Sequence, residues 1–154
     1  MNCCVSSFLG LLLLSLFTAG AANGQVLLRP GDVSMVEELL VQHDAKHLMN
    51  RPHVVVCLRH GSCKGCIDSV EILLRKSRLP VVVSVCASSA SSTFGTSLHN
   101  HVRITDNECV ANKLSVAQPL SSLLIYSKRS GYTWYPIEPA SLKNISMSLN
   151  KKQR

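Results

Sequence analysis

The chain has 154 residues, with sixteen Lys and Arg against nine Asp and Glu, a formal net charge of +7, and seven cysteines. Once an N-terminal leader is set aside, that length fits one small domain around one core. Aromatic residues make up only 5% of the chain and are not interleaved with the basic ones, so nucleic acid is not an expected partner.

Phe8 to Phe17 is almost entirely apolar but too short to span a bilayer. The small residues Thr18 to Gly24 follow it. Together they read as an export signal over residues 1–24, with a domain over 25–150 and a basic tail over 151–154. The expected location is therefore outside the cell or in the lumen of the secretory pathway, with no membrane contact after cleavage. Cys3 and Cys4 leave with the leader. Cys57, Cys63, Cys66, Cys86 and Cys109 remain, and an odd number in an oxidising compartment leaves at least one thiol without a partner in the chain. Cys86 and Cys109 can pair if the segment between them folds back, but connectivity does not follow from sequence.

Gln25 to Arg29 reads as extended and Pro30-Gly31 as a turn. Ser34 with Glu37 forms a capping box for a helix whose apolar stripe is Val36, Leu39 and Leu40. Residues 43–51 are polar and read as a loop. His43 and His47 stand four apart there, but with no carboxylate or thiol beside them they read as solvated, and no metal is expected. Val54 to Leu58 is a β-branched run that suits a strand buried on both faces. A helix over 67–76 follows, with Ile67, Val70 and Leu74 on one face and an ion pair from Glu71 to Arg75. Val81 to Cys86 is a second buried strand, and the crossover implies parallel pairing.

Residues 87–100 are Ser-rich and read as a loop. His101 to Thr105 alternates like a strand. Asp106 caps a short helix to Leu114, with Cys109 inside it. Pro119 precedes a strand that runs to Ser127, Lys128 to Gly131 turns, and Tyr132 to Tyr135 returns. Glu138-Pro139-Ala140 opens a last helix with Leu142, Ile145 and Leu149 buried. Asn144-Ile145-Ser146 is a glycosylation sequon, and Asn144 is expected to face outward.

Cys63-Lys64-Gly65-Cys66 lies where the first buried strand turns into a helix. A sulfur at a helix N-terminus meets free N–H groups, which favour thiolate over thiol. A second thiol three residues on is near enough to attack a mixed disulfide formed on the first. A structural disulfide, two buried thiols or half of a metal site are the other uses of such a pair.

The order strand, helix, strand–CxxC–helix, strand, short helix, Pro–strand, hairpin, strand, helix resembles the thioredoxin fold, in particular a protein disulfide isomerase-type domain. That implies an α/β protein with a central mixed sheet flanked by helices. It also implies a thiol–disulfide oxidoreductase with no cofactor, acting on thiol- or disulfide-containing proteins or peptides. Cys63 is then the attacking thiolate, helped by Lys64, and Cys66 is the resolving thiol. Val116-Ala117-Gln118-Pro119 resembles the family's cis-proline loop, so Lys64, Gly65, Gln118 and Pro119 are implied to contact substrate. Ser62 stands where the family carries an aromatic residue. Cys57 stands where it carries a buried acid, which leaves proton removal from Cys66 to water. These departures leave room for a redox-inactive binding module on the same fold. Residues 61–71 also resemble the metal-binding loop of heavy-metal-associated domains, where two thiolates suit Cu(I).

Overall fold

The computed structural model describes residues 26–59, 63–86, 94, 98, 100–116 and 121–152. The leader, Ser62, Gln118, Pro119 and most of the Ser-rich loop lie outside the described residues. The elements in chain order are β1 (Val26–Leu27), α1 (Pro30–Gln42), β2 (His53–Leu58), α2 (Lys64–Lys76), β3 (Val81–Cys86), β4 (His101–Asp106), α3 (Val110–Lys113), β5 (Ser122–Ser127), β6 (Gly131–Pro136) and α4 (Leu142–Lys152). The chain is α/β. Among the described residues, no helix is long and apolar enough to cross a membrane.

One six-stranded mixed sheet organises the molecule, in the order β1-β6-β5-β2-β3-β4. β2, β3 and β4 run parallel, while β5 lies antiparallel to β2 and β6 antiparallel to β5. Val54, Val55 and Val56 are fully buried because helices cover both faces of the sheet. Alternate residues divide between two cores. Val54, Val56, Leu58, Val83 and Val85 pack with Cys66, Val70 and Leu74 of α2 and Ile145 and Leu149 of α4. Val55, Cys57 and Val82 pack on the other side with Leu39 and Leu40 of α1 and Ala111 of α3.

Several expectations change. Pro30 and Gly31 are not a turn: they open α1, because a proline at the first helical position gives up only an N–H that has no helical partner. Ser34 is consequently inside the helix, and its Oγ donates to the Pro30 carbonyl at 3.1 Å rather than forming a capping box. Within 43–51, Lys46–Leu48 forms a 3-10 turn. α2 begins at Lys64, three residues earlier than the apolar stripe suggests. Cys109 lies just outside α3 as its N-cap, not within it. Asp106 does cap that helix, but from the end of β4: its Oδ2 accepts the Val110 N–H at 2.6 Å and the Ser84 hydroxyl at 3.2 Å. The last helix is preceded by a 3-10 turn, Pro139–Ser141, and Asn144 is half-buried on α4. Cys86 and Cys109 are joined by a disulfide.

Candidate functional site

The parallel strands set the location. β2 and β3 end side by side, with Leu58 opposite Val85. β5 starts and β6 ends at the same edge, since Cys57 faces Ser122 and Ser122 faces Pro136. α2 starts just after Cys63.

Cys63 is the N-cap of α2 and is exposed, and its Sγ accepts the Cys66 N–H at 3.3 Å. That uses one of the N–H groups a helix start leaves open. The side-chain hydrogen bond from Cys66 is the largest influence pulling the Cys63 thiol below its usual value, followed by N–H groups of Cys66 and Gly65, against desolvation and, more weakly, the charge of Asp68. Cys66 faces the core and is 3% exposed. Its thiol is raised by the hydrogen bond to Cys63, by burial, by the Cys63 charge and by the carboxylate of Glu138. The pair is thus polarised, with an accessible thiolate former in front and a protonated thiol behind.

Lys64 lies one residue beyond Cys63. Its ammonium is paired with Asp68 Oδ2 at 3.1 Å, one helical turn along, so it is not committed to the Cys63 sulfur. Among the described residues, a Cβ built on Gly65 meets nothing within 4 Å. The roles implied for Gln118 and Pro119 fall outside the described residues. Cys57 is 1% exposed and belongs to the core on the opposite face from Cys66. Burial, then the charge of Asp106, pushes its thiol up to about 12, so it is an inert apolar group at neutral pH.

Two residues join the site that sequence reading did not single out. Ser121 is fully buried, and its Oγ accepts the Arg59 N–H at 2.9 Å while its carbonyl accepts the Ile137 N–H at 2.8 Å. It therefore stitches the chain entering the Cys-x-x-Cys segment to the chain leaving β6. Glu138 is the next residue after Ile137, and Ile137 shares a buried cluster with Cys66. Nothing local marks either residue; the register of β5 and β6 brings both to this edge. A cavity of about 310 Å³ lies elsewhere, between α1 and the end of β4, lined by Met35, Glu38, His43, Asn107 and Glu108 among others. No residue of the Cys63–Cys66 turn lines it, and the chemistry weighs more than the cavity because that cleft presents no thiol. Among the described residues, no group of three or more His, Cys, Asp or Glu is gathered to hold a metal ion. No protein-family model, curated protein or solved structure matches the chain.

Proposed function

We propose that the chain is a thiol–disulfide oxidoreductase of thioredoxin-like fold that acts on protein or peptide disulfides in an oxidising compartment. The observation that carries this is the polarised pair: an exposed Cys63 sulfur held as acceptor at the start of α2, with Cys66 buried behind it. The β2-α2-β3 crossover, followed by antiparallel β5 and β6 and a closing helix, supports the fold assignment.

The reaction runs in two exchanges. The Cys63 thiolate attacks a substrate disulfide, forms a mixed disulfide and releases one substrate thiolate. Cys66 then loses its proton and attacks the Cys63 sulfur. The Cys63–Cys66 bond forms, the mixed disulfide breaks, and the second substrate sulfur leaves as a thiolate that takes up a proton. Two electrons pass from the dithiol to the substrate.

Insulin reduction, with dithiothreitol as the electron source, tests the assignment. The wild-type chain accelerates it, and Cys63→Ser loses at least about a hundredfold of that rate because the attacking thiolate is gone. Activity absent from both chains, or equal in both, overturns the assignment in favour of a redox-inactive binding module.

A further inference from the structure

We propose that the end of the sheet opposite Cys63 binds a linear sulfated polysaccharide, through a cleft lined by Lys128, Arg129 and Lys151.

The strand register places that cleft. β2 runs from His53 toward Leu58 and the Cys63 turn, and His53 pairs with Tyr126 near the end of β5. Ser127 faces Gly131, so the turn between β5 and β6 carries Lys128 and Arg129 beside the start of β2. Lys151, in the last turn of α4, reaches the same place. The three cations are exposed and line one cleft of about 500 Å³ together with Ser127, Thr133 and Ser148. A second cleft of about 270 Å³ opens at the starts of β3 and β4, with Arg51, His47 and His101 in its lining. Arg51 belongs to one cleft and the adjoining Pro52 to the other, so the two lie side by side. β2 has six residues, which sets this end roughly 20 Å from the Cys63 turn.

Charge is segregated toward this end. All nine Asp and Glu are described residues, and none of them lines either cleft. Asp68, Glu71 and Glu108 are paired with Lys64, Arg75 and Lys113. Asp32 and Asp106 are buried in hydrogen bonds to Ser115 and Val110. Glu37 and Glu38 belong to α1, on the opposite face of the sheet from α4. Glu138 follows the exit of β6, at the Cys63 end. Along the chain, the acid closest to either lining is Asp44, three residues before His47. Among the described residues, Lys128, Arg129 and Lys151 have no carboxylate within ion-pair distance. Cations gathered from two elements around one cleft repel each other, and a polyanion relieves that repulsion.

The lining selects the polymer. Ammonium, guanidinium and hydroxyl donors suit sulfate oxygens, and two adjoining clefts suit a string of anionic units better than one ion. Nucleic-acid bases would need an aromatic platform, but the aromatic residue of the cleft, Tyr135, is 2% exposed. A membrane surface would need exposed apolar side chains. Among the described residues those are Val26, Leu27, Val41, Ile72 and Met147, and none lines either cleft. The export leader read over residues 1–24 would bring the chain to where sulfated polysaccharides occur.

Titration of the full chain against a fluorescein-labelled heparin octasaccharide at physiological ionic strength tests the proposal. The wild-type chain should bind, and added salt should weaken the complex. Arg129→Gln with Lys151→Gln should weaken it about tenfold or more. Arg75→Gln with Lys113→Gln removes the same charge from residues that already have carboxylate partners, and should change binding by less than about threefold. Denaturation midpoints check that both variants are folded, and Lys151→Gln alone, with about a threefold loss, replaces a cleft variant that is not. Bound octasaccharide should leave iodoacetamide alkylation of Cys63 in the reduced chain within about twofold, since roughly 20 Å exceeds the screening length. No binding by the wild-type chain, equal weakening in the two double variants, or a shielded Cys63 overturns the proposal. Polyglutamate, an oligonucleotide or phosphatidylserine vesicles that displace the octasaccharide better than unlabelled heparin overturn it in favour of an acidic protein, a nucleic acid or a membrane.

Discussion

Two cysteine pairs lie at the same end of the sheet, one toward each face, and each pair places a cysteine at a helix N-cap. Cys63 caps α2 with φ −57° and ψ 109°, and its sulfur accepts the Cys66 N–H. Cys109 caps α3 in the left-handed region, φ 50° and ψ 66°, and its side chain makes no capping bond. There the first-turn N–H of Val110 goes to the Asp106 carboxylate instead. A helix start therefore does not by itself produce a reactive thiol. The sulfur must be the helix's own acceptor, and at α3 an aspartate has taken that position and left the sulfur to bond with Cys86.

The comparison breaks first at Cys63, whose replacement should remove exchange activity, the largest effect expected anywhere in the chain. The second pair should answer in stability. Cys86→Ala with Cys109→Ala releases the end of β3 from α3 and should cost about 3 kcal/mol, read from the midpoint of chemical denaturation. Insulin reduction by that variant, assayed where it remains folded, should stay within about twofold of the wild-type rate. A large loss of turnover there would mean that the two pairs exchange electrons and are not separate.

A third effect belongs to the other end of the sheet. His53, at the start of β2, is fully buried, with Nδ1 2.9 Å from the Arg51 carbonyl and Nε2 2.8 Å from the Tyr132 hydroxyl. A carbonyl only accepts, so the ring donates from Nδ1 and accepts the Tyr132 proton at Nε2. Burial holds the ring below its ordinary value of 6.5, against the opposing pull of hydrogen bonds to Arg51 and Leu48. Below that pH the unfolded chain binds more protons than the folded one. This stability is thus complete above pH 6.5 and is lost as the pH falls, by at most about 1.4 kcal/mol per unit. Thermal unfolding between pH 5 and 8 should show that slope, and His53→Gln should flatten it. Unchanged slopes in the two chains would show that the loss originates elsewhere.

The smallest effect sharpens the sulfur comparison. Asp68 opposes ionisation of Cys63 and is held by Lys64 on the exposed face of α2. Asp68→Asn should move the pH dependence of Cys63 alkylation by iodoacetamide toward lower pH. No movement, or movement upward, would show that solvent and Lys64 already screen that charge.

Much of this was legible along the chain. The β-branched runs of β2 and β3 and the stripes of α2 and α4 follow from local periodicity, and each is where its pattern puts it. The start of α1 was hidden because a Pro-Gly pair serves both a turn and a first helical turn, and only packing of Val36, Leu39 and Leu40 decides between them. Asn144 was hidden because exposure on α4 depends on neighbours that the helix period does not include. At the site, Cys63 and Cys66 announce themselves by spacing. Ser121 and Glu138 do not, since a lone serine and a lone glutamate gain meaning only from strands that are distant in sequence. The disulfide falls between these cases: its two cysteines were visible, but their pairing follows from the alignment of β3 with β4.

The Ser121 hydroxyl has a consequence in time. It ties Arg59 to a residue 62 positions later in the chain. At ordinary rates of synthesis that gap lasts roughly 3 to 12 seconds. For most of it, the growing polypeptide already carries Cys63 and Cys66 but not the residues that close the edge around them. The dithiol is born before its surroundings, and Glu138 follows later still.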